Sequence, residues 1–588
     1  MNQESLTVKF LSLIKAITQL VLKPQVIILF CALILSTYKL YFLELTSRAA
    51  LSCQWCLINA AIIHEIQFLL TIILLYLISL SPHFLIRISV KIFIIIALII
   101  TAIDIVLLNQ FLVRFTYQEL LKFIGEYNAV LDFIHQLLSD WLKVVIVVAA
   151  GIICIITITF FLKQRQEKKQ HHSILIISTG ILIFAVENIK SIEYHTPYIL
   201  NSIEAFIIPK SRNVPYSKNF IQAVSKTKNK HICFDSIGSR PNIILIIFES
   251  LSMYHSKSFS QLNDWMPNLD NISKEETKYI NFYANGITTE DGLISLFTGF
   301  PPIPKGLGNT KTLFEQYQNT KSMPKMLNKL GYQTLFFTTG NLNFLNKGRW
   351  LKKIGFQYIE GSEAPFYKGM KRFHFNAAPD KALYDRVLEK LENIKTSPFF
   401  LSVENVSTHH PYINPENGTN SEEEVFKYAD KQLSKFINKL NKNNFFDNGY
   451  VIISSDHRAM VPIRKKEFSL YGDEAFARIP FIVLGKNEKL EISAPFSQTD
   501  LFPSLQHWLA KGEACIDKNQ GIFLPTVRQK PECIYTRRSY DLNKIFIQCG
   551  NLKYSVLLDA DQTRYIGTSK GSIELLNQVH RLRLNLGY

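Results

Sequence analysis

Almost every long apolar run in this chain falls within its first 190 residues. That asymmetry limits the fold severely, because one polypeptide must satisfy two different solvents. A spanning helix takes about 20 mostly apolar residues. Five stretches answer to that description: Pro24–Leu43, Leu57–Leu80, Phe84–Leu108, Leu142–Leu162 and Ser173–Glu187. The mean hydropathy of +0.09 therefore averages an oily third with a polar remainder. The expected organisation is a transmembrane domain of five helices over residues 1–190, a linker with short helices over 191–237, and a globular domain over 238–588. The first run has no cleavage-site pattern after it and is followed by more spans, so it reads as a retained helix rather than a signal peptide.

Lys and Arg in short loops set orientation. Lys9, Lys15 and Lys23 precede the first run, Arg87 and Lys91 follow the second, and Lys163, Arg165, Lys168 and Lys169 crowd the loop before the fifth. With five spans these basic sites share the cytoplasmic side, which puts the globular domain outside. Four cysteines of that domain, Cys233, Cys515, Cys533 and Cys549, suit up to two disulfides in an oxidising compartment, with three connectivities open. The net charge of +17 fits cytoplasmic loops and anionic lipid. No basic stripe interleaved with aromatics speaks for nucleic acid, and none is expected as a partner. Arg114–Trp141 carries apolar residues at helical spacing and suits an interfacial helix or a core helix. His64, Glu65 and Asp104 lie within spans, where an ionisable group is costly unless it faces headgroups or has a function.

After residue 238 the pattern alternates. Asn242–Phe248 is a continuous β-branched run, as in a parallel strand covered on both faces. Further strands are expected at Gln333–Phe337, Phe399–Val403, Tyr450–Ser454 and Phe481–Leu484, with helices such as Ala382–Ile394 and Glu423–Leu440 between them. This is a mostly parallel α/β sheet with helices on both faces, whose chemistry belongs at the carboxyl ends of the strands. Glu249 ends the first strand, and Asp456-His457 follow a later one. Together they offer oxygen and imidazole ligands for a divalent cation such as zinc or manganese. Thr289 stands before a helix, where a metal-acidified hydroxyl could act as nucleophile and backbone N–H groups could meet phosphate. Glu290 and Asp291 are expected to face solvent or cap that helix.

The stretches NIILIIFESLS, MPNLDNIS, TTEDGLISLFTGFPP, STHHPY, SSDHR, RIPFIVLG and SQTDLFPSL, spread over about Asn242 to Tyr565, resemble the alkaline phosphatase/sulfatase superfamily. Within it the chain resembles the membrane-anchored lipoteichoic acid synthase and phosphoglycerol transferase group. The resemblance implies an extracytoplasmic α/β domain of that fold. It implies one metal ion, manganese or zinc with magnesium as a third choice, held by Glu249, Thr289, Asp456 and His457, with Thr289 as nucleophile. The family's spacing to Thr298 and to Pro301-Pro302 selects Thr289 over Thr288. His409 matches a histidine that contacts the substrate phosphate, ahead of its neighbour His410. Asn341, Asn346, Lys347 and Arg349 fall where relatives hold a glycerophosphate headgroup.

The implied activity is transfer of phosphoglycerol from a glycerophospholipid, most simply phosphatidylglycerol, to an extracytoplasmic glycan or polyol through phospho-threonine. The implied location is a bacterial cytoplasmic (inner) membrane, multi-pass, with the catalytic domain on the periplasmic or extracellular side. The alternatives are a phosphoethanolamine transferase acting on lipid A or another glycan, and a non-catalytic membrane sensor. Sulfatase chemistry is not expected, because Thr289-Glu290-Asp291-Gly292-Leu293 lacks the Cys or Ser, Pro and Arg of a formylglycine motif.

Overall fold

The computed structural model describes residues 24–50, 54–111, 114–117, 120, 172–189, 200–207, 217–226, 231–303, 312–373, 376–394, 398–410, 412–461, 463–486, 489–537, 544–559, 562–566, 579–581 and 583–584. The chain divides into two compact units, one containing the N-terminal helices and reaching Pro209, the other running from Lys210 to Tyr588.

In the first unit, α1 (Pro24–Ala50), α2 (Gln54–Ile78), α3 (Phe84–Phe111) and α4 (His172–Ile189) cover four of the five expected spans. The other, Leu142–Leu162, and most of Arg114–Trp141 lie outside the described residues. Two stretches, Asn59–Ile78 and Phe84–Leu108, are long and apolar enough to cross a membrane, and Ile28–Tyr41 and Leu175–Val186 are shorter apolar segments. Several ionisable residues inside these helices are paired. Lys39 Nζ lies 2.5 Å from Glu65 Oε1, and Ser36 donates to Glu65 Oε2 at 2.7 Å. Arg114 brackets Asp104 at 3.0 and 2.7 Å, and His64 meets Glu204 at 2.7 Å. Lys39 and Arg114 both donate to the carbonyl of Leu200, just ahead of α5 (Ser202–Ile207). Charges in an apolar bundle are tolerated in this way, paired and with their remaining donors satisfied.

The second unit is built on an eight-stranded sheet. Its strands in chain order are β1 (Asn242–Phe248), β2 (Thr277–Tyr279), β3 (Gln333–Thr338), β4 (Tyr358–Glu360), β5 (Phe399–Glu404), β6 (Gly449–Ser455), β7 (Phe481–Leu484) and β8 (Glu491–Ile492). The spatial order is β8-β2-β7-β6-β1-β5-β3-β4. The run from β6 through β4 is parallel, whereas β7 is antiparallel to both β6 and β2. The sheet is thus mixed at one side. Strand β1 sits centrally, and alternate side chains of its apolar run feed two cores. Ile243, Leu245 and Ile247 pack with α6 (Thr289–Thr298) and its neighbours. Ile244, Ile246 and Phe248 pack with residues of α8 (Asp380–Glu392) and α9 (Glu422–Lys442), which lie beyond α7 (Lys347–Lys353) in the chain. All six are fully buried, which is why the run shows no polar alternation.

Two further features were not expected from the sequence. An antiparallel sheet of four strands, Ile534–Thr536, Lys544–Cys549, Leu552–Asp559 and Gln562–Ile566, follows the main one, with Gly550 (φ 57°) turning its central hairpin. A two-stranded ribbon pairs His231–Asp235 with Glu513–Asp517. Disulfides Cys233–Cys515 and Cys533–Cys549 staple these elements and select one of the three connectivities.

Candidate active site

The parity of β1 decides where Glu249 points. Phe248 belongs to one core, so the next residue returns to the face of α6, as do Asp456 after β6 and Glu404 at the end of β5. Backbone and side-chain contacts then fix Glu249 from several sides. Its N–H donates to Asn405 Oδ1 at 2.6 Å, its carbonyl accepts from Thr408 Oγ1 at 2.7 Å, and its Oε1 accepts from Ser250 Oγ at 2.8 Å. Ser250, with φ 59°, turns the chain so that its own N–H reaches Asp456 Oδ1 at 2.9 Å.

His457 holds its ring by donating Nδ1–H to the carbonyl of Arg458 at 2.8 Å. Its Nε2 therefore faces the carboxylates, 3.2 Å from Asp456 Oδ2 and 3.5 Å from Glu249 Oε1. The three residues are buried, and one ligand atom from each lies within 4.8 Å of the others. Asp456 Oδ2 is buried with no hydrogen-bond partner among the described residues. Burial and the neighbouring Asp456 charge raise Glu249 well above the usual carboxylate range. Burial works the same way on Asp456, but the His457 ring overrides it and holds the group at about 2. Burial would lower His457, yet the two carboxylates lift it to about 9. An orphaned carboxylate oxygen and two acids forced together around an imidazole are the donor set that a divalent cation satisfies, so the residues fit a metal.

Helix α6 brings the hydroxyl. Thr288 is its N-cap, accepting from Asp291 N–H at 3.3 Å, while Asp291 reaches back to the N–H groups of Ile287 and Thr288. Thr289 is the first helical residue. Its Oγ1 lies 3.4 Å from Glu249 Oε2 and 3.5 Å from His457 Nε2. The neighbouring acids do not face solvent. Asp291 caps the helix while fully buried against Arg537 at 2.5 Å, and Glu290 is buried and accepts from Leu313 N–H at 3.2 Å. Gly292 lets the helix approach the loop after β6, since a Cβ there would stand 2.1 Å from the carbonyl oxygen of Asp456.

His409 lies within electrostatic reach of Asp456 and His457, and its enclosure pushes it down to about 4, so it is a neutral imidazole at pH 7. Its Nδ1 meets the carbonyl of His410 at 2.5 Å. Of the four headgroup candidates, Lys347 is the one drawn toward the cluster. It pairs at 2.6 Å with Glu404, whose other oxygen is buried without a hydrogen bond among the described residues and whose charge acts on Glu249. Asn341 instead closes its own turn onto Asn343 N–H, Asn346 donates to Glu315, and Arg349 is exposed. Glu404, Asn405 and Arg537 were missed by sequence reasoning. Glu404 and Asn405 directly follow the apolar part of a strand, and that position was the available signal. Arg537 carries no local signal at all.

Comparisons with known proteins bear on the fold that carries these residues. The Sulfatase family model matches residues 241–511. Lipoteichoic acid synthase 1 of Bacillus subtilis (strain 168) is 23% identical over 300 residues, covering 45% of this chain and 45% of that protein. Phosphoglycerol transferase I of Escherichia fergusonii is 25% identical over 243 residues, 37% of this chain and 31% of that protein. The chain thus matches less than half the length of these curated relatives. A protein of the alkaline phosphatase superfamily from Vibrio parahaemolyticus superposes with a TM-score of 0.51 at 20% sequence identity, covering 63% of this chain and 93% of its own. Residues 241–511, which contain Glu249, Thr289, Asp456 and His457, form a sulfatase-family domain with the alkaline phosphatase fold.

Proposed function

We propose that the chain is a membrane-anchored phosphoglycerol transferase, with Thr289 as nucleophile. The observation that carries this is the hydroxyl of Thr289, first residue of a buried helix, set 3.4 and 3.5 Å from an acid and an imidazole of the metal-competent trio. The name of one relative, phosphoglycerol transferase I, supports phosphoglycerol as the group moved. A divalent cation held by Glu249, Asp456 and His457, with Thr289 beside them, would supply Lewis-acid charge at the reacting oxygens.

In the first half-reaction Thr289 Oγ1 attacks phosphorus of the lipid headgroup. The new O–P bond forms as the bond to the diacylglycerol oxygen breaks, and the hydroxyl proton, already directed at Glu249 Oε2, leaves on that side and passes to the departing oxygen, so that diacylglycerol leaves as the alcohol. In the second, an acceptor hydroxyl of a glycan or polyol displaces phospho-Thr289 and restores the hydroxyl. His409, neutral at pH 7 with Nδ1 occupied by the His410 carbonyl, offers Nε2 to take the acceptor's proton. Lys347 is the favoured headgroup contact, and Asn341, Asn346 and Arg349 are outer candidates on the same stretch of chain. Five spans in a bacterial inner membrane and an extracytoplasmic catalytic domain complete the proposal. The two disulfides support that placement, because such bonds persist in oxidising compartments.

Mass spectrometry of the purified protein incubated with phosphatidylglycerol tests the assignment. The expected result is a glycerophosphoryl adduct on the Thr289 peptide, absent from Thr289→Ala. No adduct with any glycerophospholipid would overturn it, and an ethanolamine phosphate adduct from phosphatidylethanolamine would move the assignment to the alternative headgroup.

A further inference from the structure

A ring of buried polar contacts joins the loop after β1 to the loop after β6, and none of its members is a metal ligand. Arg458, directly after His457, forks onto Glu467 of α10 (Lys465–Tyr471), with Nε to Oε1 at 3.0 Å and Nη2 to Oε2 at 2.6 Å. Its remaining Nη1 donates to the carbonyl of Ala459 at 2.6 Å and to that of Val461. Glu467 also accepts from the backbone of Arg464. The Arg464 guanidinium pairs with Glu422 Oε2, and Glu422 Oε1 accepts from His255 Nε2 at 2.9 Å. His255 Nδ1 in turn accepts from Ser252 N–H at 3.1 Å. The ring closes where Ser252 Oγ accepts from Ala459 N–H at 3.0 Å. Arg458 is 5% exposed and Glu467 1%.

We infer that Arg458 and Glu467 are positioning residues that set the affinity of the site for its cation. The inference deepens the metal reading given above and rests on it. The physical link is the carbonyl of Arg458. It orients the His457 ring by accepting from Nδ1, and a ligand's outer hydrogen bond governs how well its other nitrogen is presented. That carbonyl belongs to the residue whose side chain is locked twice, by a planar bidentate pair and by two carbonyls of its own loop. Releasing the fork frees the peptide that aims His457. The same release loosens the contact of Ala459 to Ser252, three residues beyond Glu249.

The test compares full-length wild type with Glu467→Gln, Arg458→Lys and the paired variant Arg458→Met/Glu467→Leu, each freed of metal and titrated with Mn2+ against a chelating dye. Melting temperatures of the metal-free proteins are recorded alongside. Gln and Lys keep size and some hydrogen bonding but lose the charged fork. The paired variant removes both charges together, a change that buried ion pairs often tolerate without loss of stability. The expected result is Mn2+ affinity weaker by roughly 10- to 100-fold in every variant that folds, including one whose melting temperature matches wild type. A merely structural ion pair would shift melting and leave the affinity of the folded protein alone. Wild-type affinity in any folded variant overturns the inference, and failure of wild type itself to bind Mn2+ or Zn2+ overturns the metal reading beneath it.

Discussion

Replacing Gly292 by alanine separates two opposed physical effects. Gly292 lies inside α6, and in an ordinary helix interior alanine is favoured over glycine by about 1 kcal/mol. Here the added Cβ would stand 2.1 Å from the Asp456 carbonyl oxygen, 2.6 Å from its carbonyl carbon and 2.8 Å from its Cα. These are backbone atoms at the end of a central strand, so no side chain can swing aside. Ordinary contact needs about 3.5 Å or more, so helix and loop must part by more than 1 Å. Overpacking of that kind costs roughly 1–3 kcal/mol, which outweighs the gain in helix propensity. The same parting moves Thr289 from Glu249 and His457, and a displacement near 1 Å costs about 100-fold in rate. Gly292→Ala should therefore melt lower than wild type and transfer headgroup about 100-fold more slowly, measured by thermal denaturation and by release of diacylglycerol from phosphatidylglycerol. A variant that melts higher and turns over normally would refute the claim that helix and metal loop touch here.

Four other outcomes are expected. Thr288→Ala removes the helix cap and should cost about 1 kcal/mol while sparing the adduct, whereas Thr289→Ala should abolish the adduct and leave the melting temperature nearly unchanged. Asp456→Asn should lower metal content in elemental analysis, and unchanged content would remove Asp456 from the ligand set. Arg537→Ala strands the buried Asp291 carboxylate and should destabilise by about 3–5 kcal/mol in denaturant titration. Glu422 is partly buried, which alone would raise its pKa, but the His255 hydrogen bond and the Arg464 guanidinium hold it at about 2 against an ordinary 4.5. The depressed value means that its stabilisation, about 3 kcal/mol at most, is present above pH 4.5 and lost as pH falls toward 2. The stability gap between wild type and Glu422→Gln should close over that window.

The parts of this molecule legible in the sequence are those where one residue pattern has one structural solution. Asn242–Phe248 could only be a strand covered on both sides, and acids placed directly after such strands, Glu249 and Asp456, converge because parallel strands end at one edge. The choice of Thr289 needed family spacing, because the difference between a capping threonine and its neighbour lies in one residue of helical phase. The sheet over residues 534–566 was not legible. Its four strands run from three to eight residues, and their pairing is a tertiary matter. Arg537 is illegible for the same reason, since its partner Asp291 is 246 positions away. The buried pairs Lys39–Glu65 and Asp104–Arg114 show the limit from the other side: hydropathy flags a charge in an apolar helix but cannot name its counterion.

The bond between Cys233 and Cys515 has a mechanical consequence. The ribbon it crosses, His231–Asp235 against Glu513–Asp517, comes just ahead of β1 in the chain on one side and just after Leu501–Leu509 on the other. A pull on the chain ahead of His231 is borne by this ribbon before it reaches β1. Unlinked, five paired residues would bear the load by unzipping one after another. With sulfur joined to sulfur at the middle pair, the force passes instead into the strand that follows Leu501–Leu509, and the ribbon holds where it would otherwise open.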